Sequence, residues 1–359
     1  MGQKPEETEI AEIYSRFAFK KVLFIIASLG VLGGLMVITT TMGASNLTLN
    51  DIFNVIIAKT LPFTGVESNI HDEIIIWNLR LPRIVMAVVA GAGLAVSGAV
   101  MQGVMRNPLV SPFTIGVSSA AAFGASIAIM FGVGFVGSGT YIIIINAFIF
   151  AMLCAFLVYG IAKIRGVTPE TLILAGIALM YLFGALTATL QYIATEEQLS
   201  AVIHWTFGTL TGSGWNEILI VTIILLACLP LLLRYVWDLN AMASGGDEVA
   251  ESLGINTSRV RMVSLTLATV ITAAIICFTG IIGFVCLVAP HITRFIIGSD
   301  HRFLIPCSCI FGAILLLAAD TVGRMMFSPI IIPVGIVISY IGVPLFLYLL
   351  MKRRGEYWA

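Results

Sequence analysis

Five long stretches of the chain carry no charged residue: Val22 to Ser45, Ile84 to Gln102, Asn107 to Ala162, Ile218 to Leu233 and Met262 to Ile292. A soluble amphipathic helix keeps a polar stripe toward water, so uncharged runs of this length need lipid or protein on every side. The runs are continuous rather than alternating, which predicts helices instead of the strands of a membrane barrel. One crossing takes about 20 apolar residues, so the stretch from Asn107 to Ala162 must hold two helices, broken near Gly132, Gly134, Gly137 and Gly139. Applied to the whole chain, this reading gives ten spans: 20–42, 84–105, 112–132, 141–162, 170–193, 215–235, 261–280, 282–297, 303–322 and 333–351. The predicted fold class is therefore an all-α polytopic membrane protein with about ten transmembrane helices.

Composition agrees: 59% of the 359 residues are hydrophobic and 11% charged, against roughly 45–50% and 25% in soluble domains. The first span follows some twenty mostly polar residues and has no clean small-residue cleavage site, so it reads as a signal anchor. Lys and Arg favour the cytoplasmic side of a membrane. With the N-terminus inside and ten spans, fifteen of the nineteen Lys and Arg residues fall on that side, and only Lys59, Arg80, Arg83 and Arg324 fall outside. An odd number of spans would scatter this bias, so both termini are expected in the cytoplasm.

The chain divides into a cytoplasmic tail (1–19), one membrane domain (20–351) and a second cytoplasmic tail (352–359), with no soluble domain. The longest external segment, Gly43 to Arg83, suits a short surface helix and turns. The largest cytoplasmic loop, about 238–261, reads DLNAMASGGDEVAESLGINTSRVR. Ser244 or Gly245 can cap a short helix there, with Asp247 and Glu248 in its first turn and Gly254 with Asn256 at its end. Val249 and Leu253, four apart, give that helix an apolar face. Such an element suits docking of a soluble partner, and it equally suits an ordinary surface helix. In the second span, Gly91, Ala95, Gly98 and Ala99 lie close to one face, so this helix is expected inside the bundle.

Several chemistries are missing from the sequence. No GxxxxGK[ST] loop is present, so the chain has no P-loop of its own for ATP hydrolysis. The histidines His71, His204, His291 and His301 are scattered along the chain, and no metal site is expected. The six cysteines all lie in apolar spans and read as small buried hydrophobes. HEXXH and GxSxG motifs are absent, which argues against an intramembrane protease or esterase. Ion-coupled carriers commonly hold ionisable groups at membrane depth. Here Asp320 is the main example, and Arg324 one turn later is its simplest partner. An ion-coupled secondary transporter is the alternative reading.

The stretch LRLPRIVMAVVAGAGLAVSGAVMQGVMRNPLVSPFTIGVSSAAAFGAS resembles the first signature of the ABC permeases that import iron-siderophores, haem and vitamin B12. GIIGFVCLVAPHITRFIIGSDHRFLIP, LLLAADTVGR and IPVGIVISYIGVPLFLYLL resemble that family's C-terminal half, and SGGDEVAESLGIN its loop between the sixth and seventh spans. The resemblance covers nearly the whole chain after Lys20. It implies the large-type importer fold, a second and expectedly identical permease subunit, two cytoplasmic ATPases and an extracytoplasmic binding protein. ATP and Mg would sit on the ATPases, with no cofactor on this chain and no nucleic-acid partner. The implied location is the cytoplasmic membrane. Iron-siderophore is the first expected cargo, being the commonest in the family, with haem or cobalamin as alternatives.

By the same resemblance, Ser244, Gly245, Asp247, Glu248, Val249, Ala250, Leu253 and Gly254 belong to an ATPase-coupling element. Asn107 and Leu109 of RNPL, with Thr168, Pro169 and Glu170, fall where relatives build the cytoplasmic gate. Arg80, Arg83 and Arg324 match positions that present basic groups to the binding protein. The chain departs from the family pattern at Ser111, where Asp is common, at Cys286, where Gly is common, and at Ile331, where an acidic residue is common. Pro169 and Glu170 also replace the small hydroxyl residues of some relatives.

Overall fold

The computed structural model describes residues 4–43, 45, 47–134 and 139–352, with side chains described from 18 onward except at 140, 349, 350 and 352. Gly137 and the predicted tail from Arg353 lie outside the described residues. Helices are the organising element throughout: α1 (Lys4–Thr41), α2 (Leu49–Thr60), α3 (Ile70–Glu73), α4 (Leu81–Met105), α5 (Val117–Phe131), α6 (Thr140–Arg165) and α7 (Pro169–Ile193). They continue as α8 (Glu196–Thr206), α9 (Trp215–Arg234), α10 (Val236–Ser252), α11 (Thr257–Thr279), α12 (Val285–Ile297), α13 (His301–Met325) and α14 (Val334–Lys352). The ten predicted stretches each coincide with one of these helices. Seven are long and apolar enough to cross a membrane, whereas α5, α12 and α14 present shorter apolar stretches.

Two boundaries differ most from the sequence reading. The first tail, expected over 1–19, is helical from Lys4 and continuous with α1. The second span, expected to start at 84, begins at Ile70, because α3 runs through a π-helical turn (Ile74–Arg80) into α4 as one 36-residue span. Hydropathy alone reads Asp72, Glu73, Arg80 and Arg83 as loop residues. Three helices, α2, α8 and α10, lie in the segments between spans. Thr48 and Asp51 form a reciprocal capping box at the start of α2, and Thr195 and Gln198 do the same for α8.

The bundle is arranged around α4, against which α13, α11, α12 and α9 pack. Gly91, Ala95, Gly98 and Ala99 are all buried on α4, as the small-residue face predicts. A Cβ at Gly91 would collide with the carbonyl oxygen of Gly312 on α13, and one at Gly98 with that of Cys286 on α12. Small residues thus bring these backbones into direct contact. Between α11 and α12 the chain unwinds over 280–284. There Gly280 takes φ 69° and Phe284 φ 61°, and the Thr279 carbonyl accepts the amide of Thr209 at 2.7 Å. Non-helical backbone is tolerated at membrane depth where protein surrounds it. The cysteines are all free, five of them buried.

Candidate functional site at the two ends of the bundle

The candidate residues gather at opposite ends of α4. Arg83 stands in its first turn and Val104 in its last. At 1.5 Å per residue the separation is about 30 Å, the thickness of a bilayer's hydrocarbon core.

At the first end, Asp320 of α13 is fully buried between two arginines. Arg83 donates from Nε at 3.0 Å to both carboxylate oxygens and from Nη2 at 2.8 Å. Arg324 adds a longer bond from Nε at 3.2 Å, the i,i+4 pairing expected from the sequence. Nη1 of Arg83 also reaches the Thr211 hydroxyl at 3.0 Å, which ties in the turn after α8. Arg80 has a different use. Its guanidinium donates to the carbonyls of Thr40 (2.6 Å), Thr41 (3.2 Å) and Ser45 (3.0 Å), and so satisfies carbonyls left free at the C-terminal end of α1. Arg80 and Arg83 are only 8% and 9% exposed, so both have internal work that their position outside the apolar runs did not reveal. The Arg324 side chain is nearly as buried, 12% exposed against 11% for that of Arg83. Lys59, the fourth cation expected outside, pairs with Glu73.

At the other end, α10 is two helical pieces joined across a kink at Gly246, with φ 80° and ψ −179°. That geometry suits glycine, and it turns the chain immediately before Asp247. The expected cap at Ser244 or Gly245 is replaced by this break, since the Ser244 hydroxyl bonds back to the Asn240 carbonyl at 2.8 Å. The loop expected over 238–261 is consequently mostly helix. Past the kink, Ala250 is buried while Val249 and Leu253 stand 48% and 68% exposed. Glu248 lies beside them in the first turn, and Gly254 takes φ 83° to end the piece.

The two candidate gate segments lie at this same end. Arg106 takes a left-handed conformation that closes α4. The Asn107 side chain then accepts the amide of Leu109 at 2.9 Å, an Asx turn that leaves Leu109 exposed. Thr168 caps α7 by accepting from the amide of Thr171 at 3.3 Å, with Pro169 in the first turn and Glu170 beside it.

Asn240, Asp300 and Arg261 escaped the sequence reading. Asn240 donates to Asp300 at 2.8 Å and accepts the His301 amide at 2.8 Å, which fixes α10 to the start of α13. Burial pushes the Asp300 carboxyl's pKa up, but hydrogen bonds from Arg302, Asn240 and the Arg302 backbone outweigh it and bring it down to about 2. Arg261 is among the largest fully buried side chains, and its three polar partners come from three different segments. A signal for it did exist, because Arg261 is in phase with the buried Thr257, Ser264, Leu265 and Ala268 of α11. A cation in an apolar stripe requires an anion nearby.

The profile of the FecCD transport family matches residues 30–352. The chain belongs to the FecCD transport family. Among curated FecCD relatives, a protein of Methanocaldococcus jannaschii described as an ABC transporter permease is 44% identical, covering 96% of this chain and 98% of its own. The cobalamin import permease of Halobacterium salinarum is 40% identical over 79% of this chain and 74% of its own. The molybdate import permease of Haemophilus influenzae is 36% identical over 94% and 98%. A solved structure described as an inward-facing conformation of a metal-chelate type ABC transporter superposes with a TM-score of 0.80 at 33% identity, covering 92% of this chain and 99% of that one. The FecCD chain is thus a multi-pass membrane permease of the ABC importer type.

Proposed function

We propose that this chain forms the membrane pathway of a binding-protein-dependent importer, moving a metal chelate inward by ATP-driven alternating access. The observation that carries the reading is the family match over almost the whole membrane domain, with relatives described as import permeases for cobalamin, ferric citrate and hemin. A ferric siderophore is the first cargo to test, followed by haem and cobalamin.

In this reading all ten apolar helices cross the cytoplasmic membrane, with both termini inside. A second copy of the chain completes the pathway. ATP and Mg are held by two ATPase subunits seated on the end that carries Val249 and Leu253. Charge placement supports the orientation, because Lys59, Arg80, Arg83 and Arg324 all belong to the end opposite Asp247 and Arg261. An ion-coupled carrier is less well supported. The buried carboxylate of Asp320 is committed to ion pairs with two guanidinium groups, the arrangement of a structural ion cluster.

We assign the cytoplasmic gate to the Asn107–Leu109 turn and the Thr168–Glu170 cap. The outer cluster has three arginines against one aspartate, and its surplus positive charge is suited to acidic residues of a binding protein. The Arg83 and Arg324 side chains are 11% and 12% exposed, so the cluster would act on the binding protein through its charge more than through direct contact. The reading is tested by purification. The isolated chain should hydrolyse no ATP, and activity should appear only when ATPase subunits co-purify with it. Nucleotide turnover by the rigorously isolated chain would contradict it.

A further inference from the structure

The side chain of Arg261 is 1% exposed, yet it lies at the end of the bundle where soluble partners would dock. Its Nη2 donates to both oxygens of Asp247, at 2.8 and 2.9 Å. Nη1 donates to the Val167 carbonyl at 2.7 Å, and Nε makes a longer contact to the Val104 carbonyl at 3.4 Å. These partners belong to three separate segments. Asp247 opens the short helical piece after the Gly246 kink. Val104 lies in the last turn of α4, just before the Asn107 turn, and its carbonyl is one of those an α-helix leaves without an internal partner. Val167 immediately precedes the Thr168 cap of α7.

A second contact joins two of the same segments. A Cβ at Gly246 would come within 2.8 Å of Nη1 of Arg106, so the Arg106 side chain packs over that glycine. The planar, permanently charged guanidinium is suited to holding several acceptors at fixed angles, which a lysine ammonium does not do. Moving Asp247 away would leave a buried cation without its counter-charge. Displacement of the Asp247 turn is therefore expected to carry Arg261 with it, and with Arg261 the two carbonyls.

We propose that Arg261 is a positioning residue that links the Asp247 turn to both candidate gate segments, so that movement imposed on the coupling element reaches Asn107 and Thr168. This rests on the import reading above and adds the residue through which hydrolysis and gating are joined. A purely structural ion pair would hold the same atoms together, but its loss would lower hydrolysis and transport in parallel.

The experiment uses the full complex, with its ATPases and binding protein, in proteoliposomes. Uptake of a radio-iron hydroxamate chelate is measured alongside ATP hydrolysis on the same preparation, with ferric citrate, haemin and cobalamin as further probes. Asp247→Asn is the principal variant, because Asp247 is more than a third exposed and the amide keeps its shape. Arg261→Lys keeps the charge and removes the fork. For each variant the number of chelate molecules imported per ATP should fall roughly tenfold, within the usual range of coupling between sites. The double variant should be no worse than the poorer single, since all three break one link. An unchanged import-to-hydrolysis ratio in Asp247→Asn, or additive losses in the double variant, would overturn the inference while leaving the import reading intact. Absence of ATP-driven uptake by the wild-type complex for every probe would overturn both.

Discussion

Gly91 of α4 and Gly312 of α13 face each other so closely that a Cβ on either would strike the carbonyl oxygen of the other. No rotamer relieves such a clash, because the obstacle is backbone. Gly91→Leu or Gly312→Leu should therefore destabilise the isolated permease by about 1–3 kcal/mol or more. Gly160→Ala on α6, where nothing lies within 4 Å of the added carbon, should be close to neutral. Thermal unfolding in detergent separates the two outcomes. Equal melting temperatures for the three variants would mean that α4 and α13 do not pack at these glycines.

The ion cluster around Asp320 makes an asymmetric prediction. Asp320→Asn leaves Arg83 and Arg324 in a buried site without a counter-charge and should cost about 3–5 kcal/mol. Arg324→Gln removes the partner held by a single longer bond, while Arg83 still holds the carboxylate at 2.8 Å. It should cost less. The comparison is again the melting temperature of the isolated chain, and a larger loss for Arg324→Gln would contradict the geometry.

Asp300 predicts a pH dependence. Its folded-state pKa of about 2 lies below the ordinary aspartate value of 3.8. The folded chain thus holds this carboxylate ionised more readily than the unfolded chain does. The resulting stabilisation is present in full above pH 4 and is lost as pH falls from about 4 through 2. Solvent screening at this partly exposed site keeps the effect modest. Asp300→Asn still caps α13 but no longer titrates. Melting temperature measured from pH 6 to pH 3 should fall more steeply for wild type than for Asp300→Asn, and parallel curves would remove Asp300 from the acid response.

Much of this architecture was legible in the sequence because lipid imposes a simple rule on each span separately. The ten apolar runs all became helices, and the small face of α4 became its buried face. What local pattern could not reveal were partnerships across the chain. Arg80 and Arg83 look like loop cations until Thr40 and Asp320, 40 and 237 positions away, are brought beside them. The helical start at Ile70 was hidden for that reason. Arg261 was likewise read as one more cytoplasmic charge, since its fourteen-residue separation from Asp247 crosses a helix break. The start of α8 carries a local signal, the Thr195 to Gln198 capping box, that the sequence reading passed over.

The apolar pair beyond the Gly246 kink carries the prediction for subunit assembly. Val249 and Leu253 are exposed in the isolated chain, so Val249→Asp with Leu253→Asp should leave its own folding intact. Buried against an ATPase, the same two charges would cost several kcal/mol. The double variant should therefore reach the membrane in normal amount but fail to retain ATPase subunits through purification. Wild-type retention would place the ATPase elsewhere.

Uptake by the reconstituted complex tests the central claim most directly. Proteoliposomes containing the permease and its ATPases receive the binding protein loaded with radio-iron hydroxamate, ferric citrate, haemin or cobalamin on the outside and ATP with Mg in the lumen. The account predicts that at least one of these chelates accumulates only when luminal ATP can be hydrolysed, and that dissipating proton and sodium gradients leaves the accumulation unchanged. Accumulation that persists without ATP and collapses with an ion gradient would contradict it.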